Sequence, residues 1–269
     1  MTKPQNPFHW RGTVTDPQVF VGRQRQLTNI LTRLRQLGCV SVVGERRIGK
    51  SFLAYQTCLQ AAQQLAPDCR PVYVDLLSAR RHTLEGLLGT ILDGLSLDVA
   101  QVKAKAPAAA LAAFETQTRG LRKGGCLPVV VLDEFEALSS RVETFGDDLL
   151  ESWRSLGNDG QMAFVATSAR PMDEITQESG LTSSFYNIFA QMQLERFTEE
   201  EARPFADWAM RAGKLEVGDD VFLLRLGERH PLRLQVAAWH VFEARQSGTL
   251  DFGMVRDRDE AEVAGMMRQ

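Results

Sequence analysis

The segment Gly44-Glu45-Arg46-Arg47-Ile48-Gly49-Lys50-Ser51 narrows what this chain can fold into more than any other feature. It matches G-x-x-x-x-G-K-[ST] without a departure. It lies between a short apolar run, Cys39-Val40-Ser41-Val42-Val43, and a helix-like stretch from Ser51 to Ala62. A loop between a strand and a helix turns backbone N–H groups inward as an anion-binding nest, and the helix points its positive end at the same place. Glycines let the backbone approach a phosphate closely and adopt torsions other residues resist. Lys50 is then expected to reach the β- and γ-phosphates and Ser51 to ligate Mg²⁺. Gly44, Glu45, Arg46, Arg47, Ile48, Gly49 and Phe52 complete the nucleotide-binding segment.

Further apolar runs occur at Pro71-Val72-Tyr73-Val74-Asp75, Leu127 to Leu132 and Met162 to Ala166, with a weaker one at Gln191 to Leu194. Between them lie helical patterns. Leu27, Ile30, Leu31 and Leu34 share one face, and Leu84–Leu95, Ala108–Leu121 (opened by Pro107) and Glu143–Leu156 also read as helices. Apolar strands alternating with helices imply an α/β fold with a parallel sheet covered on both faces. After Phe197 only helical patterns remain: Thr198–Arg211, Asp219–Leu226 and Pro231–Arg245. Thr198 and Glu201 suit a capping box. Pro204 is expected to kink the first of these helices or delay its start. The expected organisation is an extended arm over residues 1–22, a core over 23–196, a helical lid over 197–246 and a charged tail over 247–269.

Val129-Val130-Val131-Leu132-Asp133-Glu134 is a strand ending in two carboxylates. In open parallel sheets ligands gather at the strand carboxyl ends, so this pair is expected beside the phosphate loop. Asp133 would enter the Mg²⁺ shell, and Glu134 would orient or deprotonate an attacking water. Thr167-Ser168-Ala169-Arg170-Pro171 follows the fourth strand directly; a polar residue here, such as Ser168, would sense the γ-phosphate or help hold the water, and Arg170 would add positive charge. A metal, a lysine and one water-orienting carboxylate suffice for phosphoryl transfer, which needs chiefly positioning and charge neutralisation.

Composition narrows the partners. Thirty-one Lys and Arg against 34 Asp and Glu leave a net charge of −3, which argues against a polybasic nucleic-acid binder. No apolar run approaches the ~18 residues of a membrane helix. Met1 to Trp10 lacks an apolar signal core. Cys39, Cys58, Cys69 and Cys126 form no C-x-x-C pair, and His9, His82, His230 and His240 are scattered. A reduced, cytoplasmic chain without a zinc site is the expectation.

The order of these segments resembles the bacterial STAND branch of AAA-like (ASCE) P-loop NTPases. The likeness spans Phe20-Val21-Gly22-Arg23, the phosphate loop, Leu132-Asp133-Glu134-Phe135-Glu136-Ala137-Leu138, Ser168-Ala169-Arg170-Pro171, Phe185-Tyr186-Asn187-Ile188-Phe189, Leu194 to Ala202 and His230-Pro231-Leu232-Arg233-Leu234-Gln235. The resemblance implies a P-loop sheet followed by an all-helical lid. It implies that Phe20, Val21, Gly22 and Arg23 lie over adenine and ribose, and that His230 and Pro231 start a lid helix that reaches the nucleotide. It also implies a slow ATPase switch, held off by ADP and turned on by ATP, often through oligomers. Members of that family carry sensor repeats or effector domains, and only residues 247–269 follow the lid here, so the expectation is either an excised piece of a longer protein or a chain that works with separate protein partners or effector chains. The alternative is an AAA+ ring ATPase acting on nucleic acid or protein. No N/T-K-x-D guanine-reading motif is present, which disfavours GTP.

Overall fold

A computed structural model describes residues 5–8, 20–248 and 251–267. The chain divides into two compact units. One comprises Arg25–Glu45 and Leu53–Leu194; the other comprises Met1–Gln24, Arg46–Phe52 and Glu195–Gln269.

The first unit is an α/β layer. Its elements run α1 (Gln24–Arg35), β1 (Cys39–Val43), α2 (Lys50–Gln64), β2 (Cys69–Asp75), α3 (Leu84–Gly94), α4 (Pro107–Lys123), β3 (Leu127–Asp133), α5 (Glu136–Ser139), α6 (Asp147–Asn158), β4 (Ala163–Ser168), α7 (Met172–Glu178) and β5 (Phe189–Gln193). Gln24 and the first three residues of α2 go with the other unit. The five strands are all parallel, in the order β2-β3-β4-β1-β5. Registers pair Val43 with Ser168, Leu132 with Ala166 and Asp75 with Asp133, so the strands end together along one rim. β1, β3 and β4 are buried at every residue, as a sheet covered on both faces requires. Val40, Val129, Val130, Val131, Phe164 and Val165 have no exposed surface, and Trp153 of α6 packs its ring 5.5 Å from Phe164.

The chain moves from β1 outward to β2, returns through β3 and β4, and then passes to the far side of β1 for β5. That reversal beside β1 is where open α/β sheets receive ligands, outside the strand carboxyl ends.

The helical unit contains α8 (Glu199–Gly213), α9 (Asp219–Gly227), α10 (Pro231–Ser247) and α11 (Phe252–Met267). Thr198 and Glu201 form the capping box. Its core joins Phe197, Phe205, Ala209, Leu223, Leu234, Ala237, Val241, Phe242 and Val255.

The structure revises several sequence-based expectations. β4 extends through Thr167 and Ser168, which were expected just beyond it. The helix expected from Glu143 begins at Asp147, after Gly146. Pro204 neither delays nor interrupts α8: the capping box secures the first turn, and the ring forfeits only the bond that an N–H at 204 would make to the Glu200 carbonyl. Most of the expected charged tail is α11. Of the expected arm, residues 1–4 and 9–19 lie outside the described residues. Residues 5–8 belong to the helical core: Asn6 Nδ2 donates to Glu243 Oε1 at 3.1 Å, and Phe8 is fully buried 5.4 Å from the Trp208 ring. No helix among the described residues is long and apolar enough to cross a membrane.

Candidate nucleotide site

The glycine-rich loop straddles the division between the units. Gly44 and Glu45 go with the sheet, Arg46–Phe52 with the helical unit. Gly44 leaves β1 and donates its N–H to the Ser168 carbonyl at 3.2 Å. Farther on, Ile48 is fully buried and anchors the loop, while Glu45, Arg46 and Arg47 are exposed. Arg47 (φ 64°) and Gly49 (φ 98°) both occupy the left-handed region. At Gly49 a Cβ would meet nothing within 4 Å, so torsion alone, not crowding, selects glycine there. α2 starts at Lys50, which is buried, and the helix start gives the loop a positive end. A left-handed loop with a buried anchor, open space at its last glycine and a helix start behind it fits a phosphate group.

Within the helical unit, Arg23 fastens this loop. Its Nη2 donates to the Ile48 carbonyl at 3.3 Å and to the Glu195 carbonyl at 2.6 Å. The guanidinium lies 4.5 Å over the Phe197 ring, and Nη1 stands 4.0 Å from Glu201. Burial pulls the Arg23 pKa down to about 10 against the opposing pull of Glu201. Gly22 (φ 80°) sits so close to the Glu201 carbonyl that a Cβ would be 2.6 Å from it. Phe20 meets Phe52 edge-on at 5.2 Å, and Val21 packs on the helical core. His230 is fully buried and caps α10: its Nδ1 accepts from the Leu232 N–H at 3.2 Å, with Pro231 in the first turn. Glu228 and Arg229, both left-handed, make the sharp approach to that cap.

In the sheet unit, Asp133 closes β3 and is almost wholly buried. Two hydroxyls serve it: Tyr73 donates to Oδ2 at 2.6 Å and Thr167 donates to Oδ1 at 2.5 Å. Burial and the neighbouring Asp133 push the Tyr73 phenol well above its ordinary range, so it remains a donor. Glu134 follows at φ 61°, a left-handed torsion rare outside glycine, and its N–H donates to Thr167 Oγ1 at 3.0 Å. Thr167 therefore links both acidic residues. Glu136 accepts the Ala169 N–H, tying the β3 and β4 exits together. Ser168 is buried and donates to the Arg170 carbonyl at 2.6 Å. Arg170 is exposed and makes a two-pronged pair with Glu178 at 2.7 and 2.6 Å.

The expected site residues thus fall into two groups. Phe20, Val21, Gly22, Arg23, Arg46 to Phe52, His230 and Pro231 belong to the helical unit, and Gly44, Glu45, Asp133, Glu134, Ser168 and Arg170 to the sheet unit. One partner of Asp133 carried no motif signal: Tyr73, whose hydroxyl stands on Oδ2. Thr167, in the segment expected to sense the γ-phosphate, supplies the other hydroxyl. The only sequence signal at Tyr73 is a hydroxyl-bearing ring between two valines. Among the described residues no group of three or more His, Cys, Asp or Glu could hold a metal unaided. An all-oxygen set of one carboxylate with hydroxyls suits Mg²⁺, which keeps waters and takes its other ligands from substrate phosphates.

A family model described as an AAA domain matches residues 33–171. Among curated proteins, none matches the sequence. Similar solved structures include the Walker-type ATPase of Pyrococcus abyssi (16% identity, 96% of this chain and 76% of that one, TM-score 0.70). The ORC2 protein of Aeropyrum pernix is similar over 93% of this chain and 72% of its own (17% identity, TM-score 0.67). Domain III of the Thermotoga maritima replication initiation protein DnaA is similar over 90% of this chain and 96% of its own (16% identity, TM-score 0.59). Identities this low speak for the fold alone.

Proposed function

The chain belongs to the AAA domain family, and from that premise we propose that it is an ATPase working as a nucleotide-dependent switch of the STAND kind, off with ADP and on with ATP. One observation carries the reading: the left-handed loop at Arg47 and Gly49, pinned by buried Ile48 and continued by the α2 start. Lys50 binds the β- and γ-phosphates. Ser51 and Asp133 would hold Mg²⁺, which would neutralise phosphate charge. Glu134 orients the attacking water and takes its proton. Thr167 and Ser168 sense the γ-phosphate, and Arg170 adds charge at the same rim. Phe20, Val21, Gly22 and Arg23 form the base-side wall. His230 and Pro231 connect the lid to nucleotide state. Protein partners and nucleotide-dependent self-association transmit the signal, and the working compartment is the cytoplasm.

A second reading, an AAA+ ATPase acting on nucleic acid or protein, is favoured by the fold likeness to ORC2 and to a domain of a replication initiation protein. The deciding experiment identifies the nucleotide that co-purifies with the chain. Retained ADP and slow turnover support the switch. An empty site, rapid turnover stimulated by DNA and ATP-dependent multimers support the second reading. No nucleotide binding by either the wild type or Lys50→Ala would sink both.

A further inference from the structure

We infer that Tyr73 is a positioning residue that presents Asp133 to the Mg²⁺ of the bound nucleotide, an inference resting on the proposed role of Asp133. The sheet register makes this reach possible. Tyr73 stands opposite Val131, and Asp75 opposite Asp133, so Tyr73 is two residues short of the β3 end on the neighbouring strand. Residues 131 and 133 share a face of β3, as 73 and 75 share a face of β2. A phenol is long enough to span the remaining step, and the hydroxyl meets Oδ2 at 2.6 Å. The ring packs against Tyr55, edge-on at 5.6 Å.

Thr167 alone would leave the carboxylate free to swing about its Cβ–Cγ bond. With Thr167 on Oδ1 and Tyr73 on Oδ2, the plane is fixed at both ends and the remaining lone pairs keep one direction. Both donors are neutral. They stabilise the anion without cancelling its charge, which stays available to a cation. Asp219 shows the opposite arrangement: its buried carboxylate takes a two-pronged grip from the Arg245 guanidinium at 2.8 and 3.1 Å, which neutralises it. Hydroxyl partners on a carboxylate at a strand end are what a metal-facing acid needs; an arginine partner is what a structural one needs.

The experiment compares wild type, Tyr73→Phe, Asp133→Asn and the double variant. A fluorescent ATP analogue is titrated in EDTA and across a Mg²⁺ series, and Mn²⁺ binding to the nucleotide complex is followed by electron paramagnetic resonance. Tyr73→Phe should bind the analogue in EDTA within twofold of wild type, yet need ~10-fold more Mg²⁺ for half-maximal enhancement. The Mn²⁺ affinity should fall in parallel. In the Asp133→Asn background the same substitution should add nothing. An unchanged Mg²⁺ requirement in Tyr73→Phe, or an equal loss of affinity in EDTA, overturns the inference. If Asp133→Asn keeps the wild-type Mg²⁺ requirement, the metal role of Asp133 falls and this inference with it. The phosphate-loop reading stands or falls separately, on Lys50→Ala.

Discussion

Asp133 and Asp259 are both buried aspartates, and their surroundings differ. Asp133, at the end of β3, has a hydroxyl on each oxygen. Asp259, on α11, has no exposed surface and neither oxygen meets a hydrogen-bond donor. Arg233 of α10 acts on it through its charge. Glu228 of the α9 end and Glu260 and Glu262 of its own helix add negative charge. Burial, eased by Arg233, pushes its pKa up to about 7. The comparison teaches how context assigns a carboxyl its work. One holds a hydroxyl on each oxygen at a rim where phosphate and metal are expected; the other is folded in with no donor on either oxygen.

The widest separation between the two regions should appear in turnover. Glu134→Gln should keep ATP binding and lower steady-state hydrolysis by ~100-fold or more, about 2.7 kcal/mol of barrier, measured by phosphate release. Asp259→Asn should leave that rate unchanged; a comparable loss there would erase the distinction. Next comes Lys50→Ala, which should cost roughly 1.5–3 kcal/mol of triphosphate affinity by calorimetry while the nucleotide-free melting temperature holds. Asp259 sharpens the contrast from its own side. Between the ordinary carboxylate value of 3.8 and about 7, the folded chain holds a proton that the unfolded chain has released. Its neutral form therefore contributes stability that is whole below about pH 4 and is lost as pH rises through about 7. The melting temperature should fall across that window, and Asp259→Asn should flatten the fall; an identical slope in the variant would refute the assignment. The smallest effect belongs to Arg170→Ala. Its pair with Glu178 is exposed and screened by solvent, so the melting temperature should stay at the wild-type value.

The same two aspartates show what could be read from sequence. The phosphate loop and the Val129–Glu134 segment were legible because their chemistry is local: a fixed spacing beside an apolar strand. The family match over residues 33–171 and the five-stranded parallel sheet agree with that reading at the level of an AAA-type P-loop fold. Tyr73 was invisible as a partner of Asp133 because 60 residues separate them and only the β2–β3 register joins them. α11 was hidden for a different reason. Its inward stripe is Val255, Asp259 and Val263, so a carboxylate occupies the centre of the apolar face and breaks the periodicity that announces a helix. Arg23 carried a motif signal but not its geometry; nothing local indicates that its guanidinium ends on the Ile48 and Glu195 carbonyls.

Glu134 combines a carboxylate with a backbone torsion that an L-residue resists, at a cost on the order of 1 kcal/mol. Glycine at this position would relax the chain and delete the acid together. With Glu134 as the proposed water-orienting acid, a library selected for robustness alone should drift toward glycine at residue 134 and lose turnover with it.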